Sequence, residues 1–197
     1  GQSGTGTNKY TYDPAPTFGS ISPTHGPATI PTAVTIIGTN FVAGASVTFG
    51  GSLATGVSVD SATQISCTTP THAAGAVDVV ITNTDGQAGT GAGAFTYDAG
   101  PTVGSVWPYH GPGTIPTPVT ITGTGFVAGA TVAFGGSLAT DIVIDGSSNI
   151  RCTTPTHAAG QVDVVVNNTD GQSGTGTNAF TYDAVPTVTG VSPANGP

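Results

Sequence analysis

Glutamate and methionine are absent from this chain, and lysine and arginine together number 2. A protein that grips nucleic-acid phosphates needs many cations to displace condensed counterions, so that class is excluded. Attraction to anionic membrane surfaces fails on the same ground. No run approaches the roughly 18 apolar residues of a spanning helix, so no direct membrane insertion is expected. No stretch holds a helical period of 3.6 over three turns, so helices are not expected. There are only 2 cysteines, Cys67 and Cys152.

Charge is scarce in general. Charged residues make up 6% of the chain, against about 25% in ordinary soluble domains. The formal net charge is −8, carried by 10 aspartates. Threonine (36), glycine (31) and proline (15) fill the space instead. Such a surface is polar without being charged. It suits a secreted protein, and it equally suits one that packs against copies of itself.

What is there is a repeat. Residues 16–100 and 101–185 are identical at 59 of 85 positions, without a gap. Residues 1–13 match the end of a repeat and 184–197 open another. We read the chain as a window of a longer array, with domains at 14–98 and 99–183. A period of 85 residues is a domain rather than a solenoid unit, which spans about 20–50. Each copy is long enough to bury a modest core of its own.

Short β-branched runs separated by Gly, Pro, Asn and Asp dominate each copy. In the first they are 17–22, 33–37, 46–49, 56–60, 63–68, 76–82 and 93–97. Seven such runs predict an all-β fold of tandem immunoglobulin-like β-sandwiches. Alternation puts Val34, Ile36, Val47, Phe49, Val77, Val79, Ile81, Phe95 and Tyr97 on the core face. Val57 and Val59 alternate with Ser58. Val80 and Val165 fall on the outward parity of one strand in both copies, which permits a lateral contact. Each copy holds one Cys, sharing parity with Ile65 or Ile150, so a buried, unpaired thiol is expected. The joint Asp98-Ala99-Gly100-Pro101 is short, and Pro14, Pro16, Pro101 and Pro186 fix φ around such joints. A rather stiff rod is expected.

Several pieces recur in a fixed order. Copy two carries Pro101-Thr-Val-Gly-Ser-Val-Trp-Pro108, Val119-Thr-Ile-Thr-Gly-Thr-Gly-Phe126 and Ala130-Thr-Val-Ala-Phe-Gly-Gly136. Cys152-Thr-Thr-Pro-Thr-His-Ala-Ala-Gly160, Val162-Asp-Val-Val-Val166 and Ala179-Phe-Thr-Tyr182 follow. This order resembles the IPT/TIG family of immunoglobulin-like domains, over essentially the whole chain. The resemblance implies spacers and adhesive modules of bacterial surface proteins and animal receptors, or the linking domain of starch-acting enzymes. Rel-like transcription factors share the family, but their basic DNA-contacting loops have no counterpart here. The resemblance carries over no catalytic residue.

Some local chemistry is legible apart from the family. Gly38, Gly123 and Gly125 stand where the chain is expected to leave a strand, and glycine reaches φ > 0 at no steric cost. Pro70 and Pro155 should end the strand carrying the Cys. His25, His72, His110 and His157 have no Cys or Asp at metal-ligand spacing in sequence. His72 and His157 read as loop residues bonded to backbone. The third repeat has Asn195 where His25 and His110 stand. No G-x-S-x-G elbow is present, so no catalytic residue and no enzyme activity are expected. Cofactors are not expected either.

A calcium ion held at the joint by Asp98 is the one metal reading, set against Asp as a turn and surface residue. Asp85 and Asp170 lie in Thr-Asp-Gly turns. Asp141 and Asp145 should sit at opposite ends of a strand. Asn167-Asn168-Thr169 is a glycosylation sequon, with Asn167 as acceptor. Trp107 and Tyr109 replace Ser22 and Thr24 of copy one. They could cover the domain's own end, meet another domain or chain, or stack on a sugar.

The function read from these features is structural: a rigid spacer or fibre body in an extracellular multi-repeat protein at the cell surface. Self-association with copies of the chain or with adjacent repeats goes with it. The alternatives are an adhesive or carbohydrate-binding module with a glycan or surface ligand, or a non-catalytic accessory domain of a secreted glycosidase.

Overall fold

The computed structural model describes residues 13–192 and 196. The remnant at 1–12 and Asn195 lie outside the described residues. The chain divides into two compact units, Gly1–Asp98 and Ala99–Pro197. Both are all-β, and no helix occurs among the described residues.

Unit one contains β1 (Thr17–Ser22), β2 (His25–Pro27), β3 (Ala33–Thr39), β4 (Ser46–Phe49), β5 (Ser52–Leu53), β6 (Thr55–Ser61), β7 (Gln64–Thr68), β8 (Gly75–Thr82) and β9 (Ala88–Asp98). Unit two contains β10 (Thr102–Trp107), β11 (His110–Pro112), β12 (Pro118–Thr124), β13 (Thr131–Phe134), β14 (Ser137–Leu138), β15 (Thr140–Asp145), β16 (Asn149–Thr153), β17 (Gly160–Asn167) and β18 (Ser173–Asp183). Each unit is a two-sheet sandwich. In unit one the sheets run β1-β3-β7-β6 and β2-β9-β8-β4-β5, and unit two repeats both orders. All pairings are antiparallel except β2 with β9 and β11 with β18.

The seven expected runs are all strands. Two more were missed: β2 holds only His-Gly-Pro and β5 only Ser-Leu, too short for alternation to show. The last strand is also longer than expected, starting at Ala88 rather than Gly93.

The core follows the alternation. Ile36, Val47, Phe49, Ile65, Val79, Ile81 and Phe95 are fully buried, as are their counterparts in unit two. Val77, Val57 and Val59 are half-buried at its edge. Phe49 meets Phe95 edge-on at 5.4 Å, and Phe95 meets Tyr97 at 5.0 Å. This is the geometry aromatic quadrupoles favour. Tyr97 Oη donates to Pro70 O at 2.9 Å, and Tyr182 Oη to Pro155 O at 3.0 Å.

The glycines need a correction. Of Gly38, Gly123 and Gly125, only Gly125 has positive φ (70°). Gly38 and Gly123 lie within β3 and β12. Their need is close approach: a Cβ at Gly38 would strike Thr17 O and the Phe41 ring, and at Gly123 it would strike Thr102 O and the Phe126 ring.

Candidate functional site

Trp107 closes β10, and Tyr109 stands in the two-residue connection to β11. Their rings lie 6.1 Å apart, tilted by 48°, and Tyr109 lies 5.0 Å from His110. Trp107 is 70% exposed and Tyr109 58%. The sandwich does not cover these rings, so they are not core residues displaced to an edge.

The two rings wall a groove of about 570 Å³ in unit two, between β10 and β18. Val103 and Ser105 line it on one side, and Thr175, Gly176 and Thr177 on the other. No ionisable side chain other than the Tyr109 phenol is among the lining residues. In copy one the equivalent of Val103 is Phe18. Its ring lies against Gly91, the equivalent of Gly176, so closely that a Cβ at Gly91 would meet Phe18 Cδ1 at 2.6 Å. In copy two the smaller Val103 takes that place, and a Cβ at Gly176 would meet its Cγ1 at 2.6 Å.

Trp107 also heads a row across the outer face of its sheet. Trp107 pairs with Thr120, Thr120 with Arg151, and Arg151 with Val143. The same row in copy one is Ser22, Thr35, Ser66 and Ser58, all hydroxyls. Three of four positions have changed together. A second groove of about 410 Å³ runs along this row, lined by Trp107, Pro118, Thr120, Val143 and Arg151. Arg151 is held by Asp145, Nε to Oδ2 at 2.5 Å and Nη2 to Oδ1 at 3.2 Å. The pair lowers the Asp145 pKa through the hydrogen bond first and the charge second, and raises that of Arg151. In copy one Asp60 instead accepts from Ser66, Gln64 and Ser58, which lower its pKa in that order. Sequence reading missed this row because register, not spacing, assembles it.

The other candidates lie apart. Val80 and Val165 sit on the outer face of the five-stranded sheets, half-buried. Val80 stands between Thr48 and Thr90, and Val165 between Ala133 and Thr175. Asn167 ends β17 exposed, while Asn168 beside it is buried and donates to Gly125 O at 2.8 Å. Asp98 accepts from His25 Nδ1 at 2.6 Å, and Asp183 from His110 Nδ1 at 2.8 Å. Among the described residues no group of three or more His, Cys, Asp or Glu is placed to hold a metal ion. Asp141 and Asp145 stand at or near the two ends of β15, as expected.

His72 donates through Nδ1 to Ala73 O at 2.9 Å and stacks on Tyr97 at 5.1 Å. His157 does the same with Ala158 O and Tyr182. Both histidines are thus bonded to backbone, as read from their loop position. Cys67 and Cys152 are buried and unpaired. Burial pushes the Cys67 thiol up to about 11 and the Cys152 thiol up to about 12. A thiol so protonated near neutral pH is a poor nucleophile.

The model of the IPT/TIG domain matches residues 16–97 and 101–182. The chain belongs to the IPT/TIG family. No curated protein matches it. Solved structures similar to these IPT/TIG repeats include the Plexin A4 full extracellular region, 26% identical, covering 85% of this chain and 18% of that one, at a TM-score of 0.43. SGBP-B from a complex xyloglucan utilization locus in Bacteroides uniformis is 17% identical, covering 86% of this chain and 50% of that one, at a TM-score of 0.39. Gamma-CGTase from alkalophilic Bacillus clarkii is 17% identical, covering 77% and 23%, at a TM-score of 0.38. The IPT/TIG pair thus spans half or less of each of these chains. Likeness at these scores bears on neither ligand nor role.

Proposed function

We propose that the chain is a non-catalytic structural segment of an extracellular multi-repeat protein, serving as a spacer or fibre body at the cell surface. Its domains are 14–98 and 99–183, with 1–13 and 184–197 belonging to repeats before and after. The observation that carries this reading is the connection. Only residues 99–101 separate the end of β9 at Asp98 from the start of β10 at Thr102. A flexible Gly/Ser tether would run longer, and Pro101 removes φ freedom from the last of the three residues. A surface rich in Thr, Ser and Gly and poor in charge supports an extracellular setting. Small-angle scattering tests the spacer. Inserting glycines between Asp98 and Pro101 should broaden the distance distribution; an unchanged profile would show that the native joint is already loose.

Self-association belongs to the fibre form of this proposal. Val80 and Val165 recur on the same outer sheet face in both domains, and only a modest net charge of −8 opposes approach. Heterologous contacts propagate into a filament where the rotation between copies does not close a ring. Sedimentation at rising concentration should show mass growth that Val165→Asp reduces. A monomer throughout the range would leave the spacer and remove the fibre.

A further inference from the structure

We propose that the groove between β10 and β18 of the second domain binds a neutral carbohydrate, with Trp107 and Tyr109 stacking on sugar rings. The first domain has lost or never had this site. The proposal goes beyond the spacer reading and does not depend on it.

The groove is furnished differently from the corresponding place in copy one. Whole repeats differ at 26 of 85 positions, the remainder after 59 identities. Of the ten groove-lining residues, five differ from copy one. Four of these changes act in one direction. Val103 in place of Phe18 exchanges an aromatic ring for a smaller side chain, which still lies against Gly176. Trp107 and Tyr109 in place of Ser22 and Thr24 raise two aromatic walls. Thr177 in place of Ala92 adds a hydroxyl beside them. One exchange reduces the bulk of a wall residue and the other three furnish the groove.

The chemistry of the lining selects the occupant. A pyranose has an apolar C–H face and a rim of hydroxyls. It needs exposed aromatic faces and hydrogen-bonding partners, and it brings no charge. Trp107 is 70% exposed and Tyr109 58%, and both face solvent ready for contact. Thr175 and Thr177 are exposed on the opposite wall and present hydroxyls. The volume, about 570 Å³, lies within the roughly 300–1,000 Å³ of small-ligand sites.

Charged occupants fit poorly. An anionic polymer would meet a chain of net charge −8 with 2 cationic side chains. One of them, Arg151, is already engaged by Asp145, and the nearby His110 is engaged by Asp183. A cationic partner finds no carboxylate in the lining. A second copy of this chain would have to bring an apolar knob into a groove whose far wall is hydroxyl-bearing.

The test uses the whole chain and its own reporter, since Trp107 is the single tryptophan. Its emission should shift in a saturable way when cello-, xylo-, manno-, malto- or chito-hexaose is added to millimolar concentration. At least one of these neutral probes should bind, and a polygalacturonate oligosaccharide should not. Val103→Phe restores the ring that copy one tolerates, so it should fold, keep Trp107 as reporter and lose the shift at least tenfold in affinity. Trp107→Ser, read by calorimetry, should also lose binding, while Trp107→Phe should retain part of it. Three outcomes overturn the proposal: no saturable shift with any of the five neutral probes, equal binding by Val103→Phe, or an emission change that follows protein concentration without sugar. The last would assign the groove to a second copy.

Discussion

His25 Nδ1 donates to Asp98 Oδ2 at 2.6 Å across 73 residues of chain, joining the start of β2 to the end of β9. The same clasp recurs between His110 and Asp183 at 2.8 Å. Both partners are largely exposed, with 66% and 42% of the His25 and Asp98 side chains accessible. Exposed pairs of this kind contribute roughly 0–1 kcal/mol. His25→Gln and Asp98→Asn should therefore each lower the melting temperature of the first domain only slightly. The double variant should be no worse than the weaker single. A large loss from Asp98→Asn alone would assign it a role beyond the clasp, and the joint calcium reading would then be tested by chelation.

Alkaline pH should destabilise both domains. Burial raises the Cys67 thiol to about 11 and the Cys152 thiol to about 12, while the unfolded thiol stays near its ordinary 9.0. Between those values the unfolded chain has released a proton that the folded chain keeps, so stability falls as pH rises through about 9 to 11 or 12. Tyr97 and Tyr182 are raised too, chiefly by burial, and add to the same trend. Denaturant titrations across that window should show the fall, and Cys67→Val with Cys152→Val should remove part of it. At neutral pH both thiols should label slowly in the native chain and rapidly once unfolded.

Gly123→Ala should destabilise the second domain by ~1–3 kcal/mol or more, the range of overpacking. The new methyl would strike Thr102 O, which is backbone, as well as the Phe126 ring. Gly136→Ala offers the control. Its Cβ meets nothing within 4 Å, so its cost comes only from a φ of 84°. Thermal unfolding should rank Gly123→Ala as the worse of the two.

Expression in a glycosylating host should add one glycan, at Asn167. That side chain is exposed at the end of β17, and Thr169 is exposed two residues on. Mass spectrometry of Asn167→Gln should show the added mass gone. Retention of the mass would place the sugar on the many threonines and serines instead.

Arg151→Ala would remove the donor without supplying the hydroxyl that Ser66 offers Asp60 in copy one. It should return the Asp145 carboxyl toward its ordinary range, because the Arg151 hydrogen bond is the largest influence holding it down. Titration followed by NMR at Asp145 reads this directly.

The core was legible because its signal is local. Val34, Ile36, Val47 and Phe49 alternate with Thr35 and Thr48, and period two alone places them inward. Tyr97 could be assigned to the core in the same way, although its bond to Pro70 O could not. What escaped was whatever depends on distant pairing. β2 is three residues, His-Gly-Pro, with no alternation to read; only its match to Thr96, Tyr97 and Asp98 makes it a strand. Gly38 looked like a residue needing positive φ, and the Thr17 carbonyl pressing on it is invisible in sequence. Trp107 and Tyr109 were visible as departures between copies. The groove they wall was not, since it needs β18 to lie alongside β10.

The parallel strand pair within each domain bears on force. In a parallel pair, the leading end of one strand and the trailing end of the other lie at opposite ends of the ladder. Tension drawn between β2 and β9 in those two directions shears the ladder along its length, so its rungs resist together instead of unzipping singly. The outer rungs are Thr96 N to Thr24 O and Ala28 N to Asp98 O, both 2.9 Å. An array of such repeats would resist stretching through a few short hydrogen bonds per domain. Single-molecule pulling should accordingly find a peak force that drops when Ala28→Pro removes one of those donors.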